Sequence, residues 1–427
     1  MDYKVALPDG VQTVTTSIDK EQQKMESVEL EVTAIRLENF KSFEDSGWIE
    51  FNRITLLFGS NSAGKSTVFQ ALRMLKVAYE KMQGEILFSD IEGLTHICGS
   101  AKDIVYAKAE IKESTISFKM KATDNRREEV LVYKVHIGYS DTMDTVVYSD
   151  IEIGVNLMPL NEHYQNINTF FIRRRQGVDV PNKKEKYVRL VVAALIKFAQ
   201  QLQYMMPARR EPQREMLLTG AGADTVGNWG ENTYEILYYL SVMEKQDVEL
   251  INKWLEKFGY CYEWQMAEKN SGSFMLRNLK TNILTNIVDN GFGISQSLPV
   301  AVALAGMTTE TLLVDSPEAH LQTNMQSELG DLLLTAAKTK GHLVVETGSE
   351  YLLLRLQRRV AEGKVLPESL TVYYVENDVK GPAKCHKMQM NEFGELTEKP
   401  KGFLDFFSTD FEDLRSIEEH KIKRMRG

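Results

Sequence analysis

An α/β fold built on a mostly parallel sheet is what this sequence predicts, and three observations predict it. Residues 54–58 form an almost continuous apolar run, the mark of a strand buried on both faces. A glycine-rich turn follows at once, and after it Val68, Ala71, Leu72, Leu75 and Ala78 fall at helical spacing. The last third alternates strand-like stretches (311–314, 342–346, 370–376) with helix-like ones (324–337, 351–362). Strands alternating with helices mean a mostly parallel sheet.

The remaining elements follow in chain order. Residues 1–29 are polar with little periodicity and are expected to form a flexible leader. Residues 30–180 hold the first half of the body: 32–37 alternates, 48–51 is short and β-prone, and from 103 to 160 the pattern turns to β. Its strands are expected at 104–109, 117–120, 130–137 and 146–155, as an antiparallel lobe inserted after the first helix. A basic, loop-like piece then leads to a long helix over 187–203. Helical spacing returns over 232–260 at Tyr234, Leu237, Leu240, Met243, Trp254, Leu255 and Phe258, so 181–285 reads as a helical insertion. The second half of the body occupies 286–376, and 377–427 is a short C-terminal segment. No solenoid repeat or low-complexity tract interrupts the chain.

Composition narrows the function. The chain has 427 residues, 43% hydrophobic and 26% charged, which excludes a small disulfide scaffold and a wholly disordered chain. Its 51 basic and 60 acidic side chains leave a formal charge of −9, which argues against a dedicated, sequence-independent nucleic-acid binder. Local basic clusters (Arg173 to Arg175, Lys183, Lys184 and Lys186, and Lys421, Lys423, Arg424 and Arg426) are either DNA-phosphate contacts or solvated surface. Cys98, Cys261 and Cys385 have no metal-ligand spacing and suit a reducing, cytoplasmic setting. The longest apolar stretches, 188–196 and 298–307, are about ten residues against the roughly 20 that a membrane crossing needs, so no span is expected. No apolar region follows Lys4, so no secretory signal is expected either.

The chemistry is carried by Gly59-Ser60-Asn61-Ser62-Ala63-Gly64-Lys65-Ser66-Thr67, which satisfies G-x-x-x-x-G-K-[ST]. In such a loop the backbone N–H groups and the helix N-terminus face phosphates, the lysine reaches the β and γ phosphates, and the next hydroxyl binds Mg²⁺. Gly59, Asn61, Gly64, Lys65, Ser66 and Thr67 are therefore the candidate nucleotide contacts. A second half-site should be an apolar strand ending in an acid that anchors the metal. Thr311-Leu312-Leu313-Val314-Asp315 fits, with Ser316, Pro317 and Glu318 after it. The two motifs lie about 250 residues apart, and between them Asp289-Asn290-Gly291-Phe292-Gly293-Ile294-Ser295-Gln296 makes a glycine-rich turn, with Ser295 expected to cap an apolar helix over 298–304.

Together these elements resemble the ATPase head of the ABC and SMC class, and more narrowly the OLD-like (overcoming lysogenisation defect) AAA-family ATPases of bacteria that lack a nuclease domain. The resemblance runs through 35–43 (I-R-L-E-N-F-K-S-F), the Pro/Arg motif at 202–214, V-G-N-W-G-E-N at 226–232, D-N-G-F-G-I-S-Q, D-S-P-E-A-H-L, E-T-G-S-E-Y-L-L-L-R-L and the closing segment at 399–407. It implies a P-loop ABC-type ATPase head with an antiparallel β lobe and a helical insertion. It implies that Gly59, Gly64, Lys65 and Ser66 bind ATP and Mg²⁺, that Asp315 is the second Mg²⁺ anchor, and that Gly293 and Ser295 face the γ-phosphate held by a partner subunit. Gln83 is the nearest candidate for a Gln loop. The implied assembly is a homodimer or higher homo-oligomer closing around nucleotide. The implied setting is antiphage defence or DNA surveillance, with a partner effector, a nuclease or toxin, acting in trans because the last 75 or so residues lack the acidic cluster of a Toprim nuclease.

Two departures from the family pattern bear on catalysis. Relatives place a second acid, the general base, where this chain has Ser316, and a histidine in the switch where it has Gly348. A serine hydroxyl takes no proton at pH 7 without its own base, so either Glu318 serves as base or the site is a nucleotide-gated clamp with little hydrolysis. Three readings stay open: a slow ATPase with Lys65, Asp315 and Glu318 as catalytic groups, a catalytically weak ATP-locked scaffold, and a DNA-repair ATPase of the recombination type. Arg209 and Arg214 flank Pro212 either as an anion or partner site or in ion pairs with acids such as Glu211 or Glu231. His320 is expected to be structural.

Overall fold

The computed structural model describes residues 28–81, 97, 101–106, 113–124, 127–140, 145–155, 158–159, 182–218, 223–243, 247–268, 270–307, 311–339, 341–377, 381–400 and 403. Most of the leader, Gln83, Cys98, Arg173 to Arg175 and the basic tail lie outside them. The chain opens with β1 (Glu29–Phe40), β2 (Phe43–Asp45) and β3 (Ile49–Glu50), then β4 (Ile54–Phe58), which runs through the glycine-rich loop into α1 (Lys65–Lys81). With β5 (Glu113–Asp124), β6 (Arg127–Ser140), β7 (Thr145–Val155) and β8 (Met158–Pro159), the first three strands form a seven-stranded antiparallel sheet ordered β2-β1-β5-β6-β7-β8, with β3 also on β1. The β lobe therefore does not simply follow α1. Its β1 precedes the loop, because Val32, Ile35 and Leu37 are buried towards this sheet's core across a register shift between Val32 and Ala34.

Next comes α2 (Asn182–Gln201), which ends directly in β9 (Leu202–Met205). The stretch 181–285, expected to be helical, is corrected here. After β9 come β10 (Met216–Leu217), α3 (Thr233–Val242) and α4 (Asp247–Lys257), then β11 (Tyr260–Glu268), β12 (Ser271–Asn278) and β13 (Leu284–Asn286). Strands β10 to β13 make a four-stranded antiparallel sheet. The physical cause is visible in the alternation: Gly272, Phe274 and Leu276 are buried on β12, while Tyr262 and Trp264 of β11 pack on the Phe274 ring at 5.1 and 5.2 Å.

The last third is as its periodicity dictates: α5 (Phe292–Ala305), β14 (Thr311–Asp315), α6 (Thr323–Leu333), β15 (His342–Thr347), α7 (Glu350–Ala361), β16 (Leu370–Asn377) and β17 (Ala383–Met388). A six-stranded sheet ordered β17-β16-β4-β15-β14-β9 results, parallel except for β17. Alternate residues of its strands enter two different cores. Leu57, Leu313, Val344 and Tyr373 pack with α1, α2 and the β lobe, whereas Leu56, Val314, Val345 and Val372 pack with α5, α6 and α7. The sheet is thus covered on both faces, which leaves the carboxyl ends of its strands as the place for a ligand. Among the described residues no helix is long and apolar enough to cross a membrane.

Candidate active site

The loop after β4 is shaped by positions that only glycine tolerates. Gly59 has φ +152°, and a Cβ there would sit 2.2 Å from the Val375 carbonyl oxygen of β16. Gly64 has φ +103°, and its Cβ would lie 2.4 Å from Ser42 Oγ. The backbone so bent delivers Lys65 to the first turn of α1, a turn without acidic side chains, so its positive end is left for an anion. Lys65 is 6% exposed, and its Nζ donates to the Gly59 and Ser60 carbonyl oxygens at 2.9 and 2.8 Å. Burial lowers its pKa, and Glu346, Glu318 and Asp315 oppose that shift. Asn61 is exposed at the loop tip, whereas the Thr67 hydroxyl is turned inward to Ser42 Oγ at 3.0 Å.

Three carboxylates from adjacent segments converge on this loop. Asp315 ends β14 and Glu346 lies near the end of β15, paired in register. Asp315 Oδ1 accepts the Ser316 hydroxyl at 2.8 Å, and the Tyr204 hydroxyl lies near enough to help hold down the Asp315 pKa. The Ser66 hydroxyl donates to Glu346 Oε1 at 2.8 Å. Glu318 Oε1 accepts the Gly348 N–H at 3.1 Å, which brings the acid motif onto the switch segment. Burial raises all three acids, and Glu346, with Asp315 beside it, is pushed up to about 7.

Two cations answer these acids. Arg209 is 4% exposed, and its guanidinium donates to the Asp315 carbonyl at 2.8 Å and the Ser316 carbonyl at 3.3 Å. Burial lowers its pKa to about 10, so it stays charged at neutral pH. Arg209 Nε, Glu318 Oε2 and Glu346 Oε2 are buried without hydrogen-bond partners. Three buried acids beside Ser66, all raised by burial, face Lys65 and Arg209; a cation there would favour their charged forms, and hard oxygen donors are what Mg²⁺ takes. The glycine cradle fits a phosphate and the oxygen set fits the metal.

Other sequence expectations are resolved differently. Ser295 does not cap its helix: α5 starts at Phe292 with Gly291 as N-cap, and the Ser295 hydroxyl, buried a turn inside, donates to the Phe292 carbonyl at 2.9 Å. Gly293 is pressed on the acid loop, where a Cβ would lie 2.9 Å from the His320 carbonyl oxygen. The His320 ring is exposed and stands edge-on to Phe292 at 4.7 Å. Arg214 pairs with Asp289, not with Glu211 or Glu231, while Glu231 accepts the Trp229 N–H. Gly230 of the V-G-N-W-G-E-N stretch seats against Pro299 of α5, and Phe403 of the closing segment packs edge-on to Phe58 at the end of β4. Glu346 and Tyr204 are the site residues that the motifs did not single out. Glu346 carried the same signal as Asp315, an acid closing an apolar strand.

A family model described as an AAA domain matches residues 34–216. Among solved structures, the chain is similar to an SMC head bound to the C-winged helix domain of ScpA, at 13% identity over 85% of this chain and 98% of that one, with TM-score 0.46. It is likewise similar to the SMC head domain from Thermotoga maritima (13%, 83% and 98%, TM-score 0.41). A third is an Smc head with an extended coiled coil bound to the C-terminal domain of ScpA, derived from Pyrococcus furiosus (12%, 91% and 100%, TM-score 0.45). No curated protein matches the sequence. The P-loop geometry and the parallel sheet that carries it agree with the AAA-domain match over residues 34–216.

Proposed function

We propose that this protein binds Mg²⁺–ATP at the loop between β4 and α1, hydrolyses it slowly, and uses the bound nucleotide to close a homodimer that controls a partner effector. The observation that carries the reading is the convergence of Lys65, Ser66, Asp315, Glu346 and Glu318 on one glycine-bent loop. The α1 N-terminus and the loop N–H groups bind the phosphates, and Lys65 leaves the Gly59 and Ser60 carbonyls for phosphate oxygens. Bound Mg²⁺ supplies charge neutralisation at the β and γ phosphates. Ser316 is not the base: an alcohol is too weakly basic to hold a proton at neutral pH, and the carboxylate that its hydroxyl meets, Asp315, is the one assigned to the metal. Glu318, oriented by the Gly348 N–H and with Oε2 free, is the group that accepts a proton from the attacking water.

The resemblance to OLD-like ATPases supports bacterial antiphage defence as the setting of this reading, with a nuclease or toxin in trans. A catalytically weak, ATP-locked scaffold is the second reading, favoured by Ser316 and by the missing side chain at Gly348. Phosphate release by wild type, Glu318→Gln and Lys65→Ala separates them. The enzyme reading expects wild type well above both variants, with Glu318→Gln still binding ATP. If wild type releases no more phosphate than Lys65→Ala while ATP still changes its assembly, the scaffold reading holds.

A further inference from the structure

The hydroxyl after the P-loop lysine is tied to an acid other than the one that the strand-ending motif offers. Ser66 Oγ donates to Glu346 Oε1 at 2.8 Å, while Asp315 Oδ1 already accepts from Ser316. Glu346 is 6% exposed, and its Oε2 is buried with no hydrogen-bond partner. A buried carboxylate oxygen left unpaired is costly, and here it sits beside Asp315 on the next strand and beside a hydroxyl held ready. Among the described residues no three His, Cys, Asp or Glu side chains form a ready-made metal cage. Mg²⁺ does not require one: it takes one or two carboxylates and fills its octahedron with hydroxyl, water and phosphate oxygens.

We propose that Glu346 is a Mg²⁺-anchoring carboxylate, acting with Ser66 and Asp315, so that two acids from neighbouring strands hold the ion. The proposal rests on the nucleotide-binding reading above. With both carboxylates engaged, the unpaired Oε2 gains its partner on loading, and the Ser66 hydroxyl turns its lone pairs to the ion. Glu318, tethered to Gly348, is left free for proton transfer.

The test is calorimetric titration of ATP into wild type, Glu346→Gln, Glu346→Asp and Lys65→Ala, each in EDTA and in MgCl₂. Wild type is expected to bind ATP more tightly with Mg²⁺. Glu346→Gln, which keeps an acceptor for Ser66 but removes a negative charge beside the phosphates, should bind ATP at least as tightly as wild type in EDTA and lose on the order of tenfold or more of the Mg²⁺ enhancement. Glu346→Asp, with the charge on a shorter arm, should lose part of it, and it decides the matter alone if the glutamine variant does not fold. Full Mg²⁺ enhancement in the folded variant overturns the proposal while leaving nucleotide binding intact. A wild type that binds ATP no better than Lys65→Ala in either buffer overturns the nucleotide reading, and this proposal with it.

Discussion

Arg209 and Gln296 hold each other by two hydrogen bonds: the Arg209 N–H donates to Gln296 Oε1 at 2.9 Å, and Gln296 Nε2 donates to the Arg209 carbonyl at 3.0 Å. Gln296 is 1% exposed on α5, and Arg209 reaches on to the carbonyls of Asp315 and Ser316. One side-chain amide thus joins the Pro/Arg segment, α5 and the acid strand. Gln296→Leu leaves a buried N–H and a buried carbonyl unpaired, a cost of about 2–4 kcal/mol. Urea unfolding of the two proteins measures it. A loss below about 0.5 kcal/mol would show that this junction relaxes freely.

Gly59→Ala tests the bend that makes the loop. The new Cβ would meet a backbone oxygen of β16 at 2.2 Å, which no side-chain rotation relieves. A destabilisation of at least about 2 kcal/mol is expected, with ATP binding lost at temperatures where the protein remains folded. Thermal melting and ATP titration read the two effects separately. Near wild-type values for both would mean that β16 yields and the cradle is not fixed by this contact.

Much of this was legible in the sequence, and what was not has physical causes. Strand β4, the loop, α1 and β14 to β16 were readable because parallel strands are short apolar runs and the loop has a steric signature. The strand β9 was hidden because Leu202–Met205 continues the apolar pattern of α2 with no breaker between. The β10 to β13 sheet was overlooked although Tyr260, Tyr262, Trp264 and Met266 alternate cleanly, since the helical spacing of Trp254, Leu255 and Phe258 ran straight into it. The sequence offers Arg209 as an anion or partner site or as an ion pair, and its bonds to the Asp315 and Ser316 carbonyls are not legible there, because burial depends on where a loop lands, which no local pattern encodes. The V-G-N-W-G-E-N stretch likewise has its reason outside itself, in the seating of Gly230 against Pro299.

Gly348 is not a glycine that the backbone requires. Its φ lies outside the left-handed region, and a Cβ would meet only the Gly59 carbonyl oxygen at an ordinary 3.7 Å. Gly348→His therefore folds with stability within about 0.5 kcal/mol of wild type and sets an imidazole over the loop. If Glu318 is the base and the empty switch position limits turnover, phosphate release should rise on the order of tenfold, with Gly348→Ala unchanged. Unchanged turnover in the histidine variant, at wild-type ATP affinity, would place the limit elsewhere.

The buried acids make a pH signature whose sign is fixed. Glu346 is pushed up to about 7 from its ordinary 4.5, first by burial and then by Asp315. Between those values the folded, metal-free protein holds a proton that the unfolded chain has released, so stability falls as pH rises through the window and levels off above it. The full span is worth up to about 3 kcal/mol. Glu346→Gln removes this contribution while Asp315 and Glu318, also raised by burial, keep theirs. Urea unfolding in EDTA at pH 5 and pH 8 should therefore show wild type losing stability relative to the variant at the higher pH. A difference that is flat or reversed would mean that Glu346 is solvated in the folded protein and that the acid cluster is open to water.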